Sequence, residues 1–85
     1  EAFSFFVSCD TQEEVDDYWD KLTADGGEGV QCGWLKDRFG VSWQIVPALL
    51  DELINDPDPA RSRAAMEAML QMKKIDTAAL LQAVS

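Results

Sequence analysis

Histidine is absent from this 85-residue sequence, and that closes off much enzyme chemistry. Ser-His and Cys-His nucleophile pairs are excluded, and so is every metal site that needs an imidazole. Cysteine is scarce. Cys9 and Cys32 are too few for a disulfide framework and lack the CxxC spacing of a zinc or redox site. Both lie in or beside strand-like runs, so the expectation is two buried free thiols in a reducing cytoplasm. The five glycines form no phosphate-binding loop, because Gly26-Gly27-Glu28-Gly29 reads as a helix stop and turn. No Gly-rich strand-to-helix turn suited to a nucleotide or to S-adenosylmethionine is present. No apolar run approaches the roughly 18–20 residues needed to span a bilayer, and the N-terminus lacks the charged-then-apolar layout of a signal peptide.

Positive charge is also in short supply. Sixteen acids against seven bases give a formal net charge of −9. Such a field repels polyanions, so neither nucleic acid nor an anionic membrane surface is expected as a partner. The imbalance is uneven: residues 1–58 hold 14 acids and 3 bases, residues 59–85 hold 2 acids and 4 bases. Solvated helix faces are the ordinary reading of the basic end. Docking on an acidic surface, its own or a neighbour's, is the other. A chain this short buries only about 60% of its unfolded surface, so oligomerisation is expected. The start, Glu1-Ala2-Phe3, has no Met and is already strand-like, which suggests a processed chain or a fragment without its N-terminal part.

What is there reads as alternating order, then helical order. Phe3 to Cys9 is a strand with Phe3, Phe5 and Val7 on one face and Ser4, Phe6 and Ser8 on the other. Thr11 and Glu14 fit a capping box, and Val15, Tyr18, Trp19 and Leu22 form the apolar stripe of the helix that follows. Acids at 13, 14, 16, 17 and 20 fall on its solvent side, and Gly26-Gly27 is expected to end it. Glu28 to Gln31 suits a short strand. Gly33 to Pro47 then reads as a hairpin with its turn at Asp37 to Gly40, where Asp37 and Arg38 serve the turn. In its second arm Val41, Trp43 and Ile45 alternate with Ser42, Gln44 and Val46.

Beyond the hairpin the period changes to 3.6. Pro47 suits a first helical position, and Leu49, Leu50, Leu53 and Ile54 form a stripe. Asp58 and Pro59 start another helix, in which Met66, Met69 and Met72 form a packing row. Asp76 caps a last helix, with Ile75 stapled to Leu80. The fold class is therefore α+β, with the order β-α-β-β-β followed by three short helices. Ser4, Phe6, Trp34, Ser42 and Gln44 are the candidate site, since they can share the sheet face turned away from the first helix. Plain packing and surface is the competing account of the same five residues.

Three strings carry a resemblance: Phe5-Phe-Val-Ser-Cys-Asp-Thr-Gln-Glu-Glu-Val15, Gly33-Trp-Leu-Lys-Asp-Arg-Phe-Gly-Val-Ser-Trp-Gln-Ile-Val-Pro47 and Met69-Leu-Gln-Met-Lys-Lys-Ile-Asp76. With the element order, they resemble the C-terminal half of PhnB-like proteins, often labelled 3-demethylubiquinone-9 3-methyltransferase. These fall in the vicinal oxygen chelate superfamily of glyoxalase and bleomycin-resistance proteins. The resemblance implies a half module at 1–47 with a helical extension of the same domain at 48–85. It also implies that two modules pair around a cavity, so the expected partner is a second copy or a preceding module. Metal-using members place a His on the first strand and a Glu on the last. Here Gln44 takes the Glu position, and the His position falls near Ala2 or Phe3. A neutral amide is a poor ligand for a divalent ion, so the expectation is a metal-free, cofactor-free dimer that binds a small molecule. The rival readings are an enzyme (a metal-dependent lyase or dioxygenase, or the labelled methyltransferase) and a purely structural dimerisation half.

Overall fold

In the computed structural model residues 4–85 are described. Phe3, and with it the first-strand position near Ala2 or Phe3, lies outside them. Strand β1 (Ser4–Cys9) runs into the capping box. There Thr11 Oγ1 accepts from the Glu14 backbone N–H at 3.2 Å, while Glu14 Oε1 accepts from the N–H groups of Asp10 at 2.6 Å and Thr11 at 3.3 Å. Helix α1 (Gln12–Leu22) buries Val15 and packs Trp19 and Leu22 against the sheet. Tyr18, expected in that stripe, is 43% exposed, because the seam follows 15, 19 and 22 and leaves position 18 on its flank.

The helix also stops earlier than Gly26-Gly27. Thr23 caps it, with its backbone N–H at 3.0 Å and its hydroxyl at 2.6 Å from the Trp19 carbonyl. The glycines follow a 3₁₀ turn at Ala24–Gly26. Gly27 is required for a different reason: a Cβ there would sit 2.7 Å from the Leu22 carbonyl oxygen and 2.8 Å from that of Lys36.

Strand β2 is only Glu28–Gly29, shorter than the expected 28–31. Gln31–Gly33 forms a 3₁₀ turn whose Cys32 and Gly33 N–H groups donate to the Met72 and Lys73 carbonyls, each at 2.8 Å. Strand β3 (Trp34–Lys36) and strand β4 (Ser42–Pro47) complete the hairpin. The sheet order is β1-β4-β3-β2, with β1 and β4 parallel and the other pairs antiparallel. Pro47 corrects the sequence reading. It is extended (φ −71°, ψ 145°) and ends β4 opposite Cys9, so helix α2 (Ala48–Ile54) starts one residue later. The parallel pairing with β1 holds the strand extended to that point.

Helices α3 (Pro59–Leu70) and α4 (Thr77–Val84) follow. Asp58 accepts from the Ala60 N–H and Asp76 from those of Ala78 and Ala79. Ile75 and Leu80 are both fully buried in one cluster, as a staple requires. Met69 and Met72 pack against that cluster, whereas Met66 is 39% exposed. Met72 lies past the end of α3, since its carbonyl is used by Cys32.

Two cores result. Cys9, Val15, Leu35 and Ile45 lie between α1 and the sheet; Leu50, Leu53, Ala65, Ile75, Leu80 and Val84 lie among the C-terminal helices with Val46. Ile45 and Val46 are neighbours in β4, and period 2 sends them to opposite cores. A clasp ties the two bodies together. Gln12 Nε2 donates to the Ile75 carbonyl at 3.0 Å, and its Oε1 accepts from the Thr77 N–H at 2.8 Å. Lys74 pairs with Asp16 at 2.9 Å, the Asp16 side chain staying 45% exposed, so part of the basic end does dock on an acid of its own chain. The fold is α+β: a β-α-β-β-β unit carrying C-terminal helices. No described helix is long and apolar enough to cross a membrane.

Candidate functional site

The register of β4 decides which side chains meet. Phe5, Val7 and Cys9 of β1 align with Trp43, Ile45 and Pro47. Val7, Cys9, Trp43, Ile45 and Leu35 pack with α1, while Phe5 on the same face is stacked on Trp43 at 4.7 Å and stays 50% exposed. The intervening residues share the other face. Phe6, Gln44 and Trp34 form one row across three strands, and Ser4, Ser42 and Lys36 form the next. The five candidate residues Ser4, Phe6, Trp34, Ser42 and Gln44 are thus placed on one side of the sheet.

A concavity of about 570 Å³ opens between one end of this face and the C-terminal helices. Phe6, Ser8, Gln44 and Val46 form its sheet wall, and Ile54 and Met69 face them from α2 and α3. Leu50 lies deeper, in the helical core, while Asp51 and Glu52 of α2 are exposed beside the opening. Of the candidates, only Phe6 and Gln44 line this space. Ser4, Ser42 and Trp34 share the face but do not line it. The sheet-side members Ser8 and Val46 were readable from the alternation, each two residues beyond a candidate. The helical wall was not readable, because it depends on how sharply the chain leaves Pro47.

Gln44 is held in place, its Nε2 donating to the Cys32 carbonyl at 3.3 Å. Phe6 is 64% exposed and stands at the edge of the opening. Among the described residues that line the concavity, the charged ones are Asp51 and Glu52, so its field is negative. The donor set does not fit a divalent cation. The last-strand position offers a neutral amide flanked by two aromatic rings, and among the described residues no three imidazole, thiol or carboxylate groups converge. A methyl donor fares no better at the β1–α1 junction, where Thr11 and Glu14 already occupy the helix N-terminus.

The remaining reactive groups are accounted for elsewhere. Both thiols are free. Cys9 is buried but Cys32 is only half-buried, against the expectation of two buried cysteines. Burial pushes the Cys9 thiol up from its ordinary value, and Glu14 and Asp10 add to the effect, which makes it a poor nucleophile. Asp37 organises the hairpin turn. Its Oδ1 accepts from the Phe39 and Val41 N–H groups at 2.9 and 3.0 Å, and its Oδ2 from the Trp43 indole at 2.9 Å. A smaller hollow of about 340 Å³ beside this turn has Arg38 paired to Asp25 at 3.7 Å and lying 4.8 Å over the Phe39 ring.

Comparison with known proteins adds the family. A family profile described as 3-demethylubiquinone-9 3-methyltransferase matches residues 1–46, from the start of the chain through the hairpin. No curated protein matches the chain. The match takes in the sheet wall of the concavity and stops before its helical wall. Since it covers more than half of the sequence and coincides with the β-α-β-β-β unit, the chain belongs to this family of PhnB-like proteins.

Proposed function

We propose that this chain is a metal-free, PhnB-like small-molecule-binding module that works as a pair, with a second copy or a preceding module as its partner. The observation that carries this is the 570 Å³ concavity, a volume within the range of about 300–1,000 Å³ typical of ligand sites. Apolar walls from Phe6, Val46, Ile54 and Met69 supply binding area, and Gln44 and Ser8 supply polar groups that orient a ligand. The exposed Phe5, 50% accessible on the edge strand β1, supports pairing, because an aromatic side chain beside an unpaired strand edge favours burial against another chain. The family's printed name describes a methyl transfer. The described residues supply no fitting site for a metal or a methyl donor, which supports the reading as a binder. Free cysteines support a reducing, cytoplasmic location, and the acidic surface argues against nucleic acid as a partner.

Titration with 4-phenylbutanol, followed by ligand-observed NMR, tests the pocket. The probe should bind, and Phe6→Ala should weaken it by about fivefold, on the order of 1 kcal/mol. Absence of binding, or equal binding by the variant, would refute the site. Light scattering at micromolar concentration should give twice the chain mass; a monomer would remove the pairing of two copies.

A further inference from the structure

We propose that the concavity selects small amphipathic amines, organic cations with an aromatic or aliphatic body. This rests on the binding role proposed above and specifies the ligand class. The walls are apolar on both sides, Phe6 and Val46 from the sheet, Ile54 and Met69 from the helices. The uncharged polar groups, Gln44 and Ser8, do not distinguish one charge from another. Asp51 and Glu52 do, since they stand beside the opening and neither takes part in an ion pair among the described residues. Arg61 is engaged with Asp56 and the Val84 carbonyl, and Lys74 with Asp16; Arg63 and Lys73 are exposed but do not line the concavity.

An anionic ligand would therefore meet two carboxylates and, among the described residues, no cation at this opening. An ammonium group would meet those carboxylates beside the exposed Phe6, and an aromatic ring attracts a cation that reaches its face. The net charge of −9 adds a long-range field of the same sign, which raises the local concentration of cations.

Three probes of nearly equal size separate charge from shape: 4-phenylbutylamine, 4-phenylbutanol and 4-phenylbutyrate. In about 20 mM salt the amine should bind roughly three- to tenfold more tightly than the alcohol, and the carboxylate most weakly. The amine's advantage should shrink at about 0.5 M salt. In the double variant Asp51→Asn, Glu52→Gln the amine should lose most of its advantage over the alcohol, read as the ratio of the two affinities in the same variant. A control variant, Glu13→Gln with Asp20→Asn, removes the same charge from α1, where both residues are exposed. It should leave most of the preference intact. Equal binding of the three probes, or equal loss in the control variant, would overturn the amine preference and leave the binding site standing. Failure of all three to bind would overturn the site and the preference together.

Discussion

Asp37 is the residue on which the hairpin depends, and its protonation state is part of the structure. The indole of Trp43 lowers its pKa most, burial opposes that, and the Val41 and Phe39 N–H groups and Arg38 lower it further. A carboxylate held below its ordinary 3.8 contributes stability that is fully present above that value and is lost as pH falls through the lowered one. Asn at this position keeps an acceptor oxygen but cannot carry the charge. The stability gap between the parent and Asp37→Asn should therefore be constant above about pH 5 and close as the solution is acidified below 3.8. Urea midpoints measured from pH 6 to pH 2 would show this, and a gap that does not narrow would mean that the charge contributes nothing. Asp16 and Asp56 are lowered in the same direction, Asp16 chiefly by Gln12 and Asp56 chiefly by the Asp58 N–H. They steepen the acid limb in both proteins without altering the comparison.

At the scale of elements, what was legible in the sequence is what neighbours in the chain decide. The capping box at Thr11 and Glu14, the Asp58 and Asp76 caps, the staple of Ile75 to Leu80 and the alternation through β4 all involve residues a few positions apart. The errors came from distant partners. Pro47 stays in a strand because Cys9 lies beside it, and β2 is cut short because the next turn bonds to residues 72 and 73. The shared face of Ser4, Phe6, Trp34, Ser42 and Gln44 followed from periodicity, but the helical wall with Ile54 and Met69 did not. Gly33 shows how strictly such distant contacts constrain an element. Its φ is +81°, and an added Cβ would meet the Ile45 carbonyl oxygen at 3.0 Å and Ile75 Cγ1 at 3.1 Å. Gly33→Ala is expected to cost about 1–3 kcal/mol, from backbone strain and crowding together. Denaturant titration provides the check, and an unchanged midpoint would show that the turn can relax.

As a whole the molecule is a slab of 40 × 28 × 19 Å with a Cα radius of gyration of 13.1 Å, above the roughly 12 Å expected of a compact chain of this length. Two cores set side by side produce that shape. They share strand β4 and the clasp at Gln12, whose two hydrogen bonds span 63 and 65 positions of the chain. That span has a kinetic consequence. The C-terminal helices can gather through contacts close in sequence, and so can the hairpin, but the clasp must wait until both ends of a long loop have met. Gln12→Ala removes these two interactions, of about 0.5–1.5 kcal/mol each, along with the local bond from Gln12 Nε2 to Asp16 Oδ1. The long span predicts that the clasp closes after the rate-limiting step. Stopped-flow measurements should then find refolding at nearly the parental rate and unfolding accelerated roughly 5- to 150-fold. Slowed refolding would place the clasp in the nucleus instead. Gln12 would thus set how long the two bodies stay joined once they have met, while having little influence on how quickly they find each other.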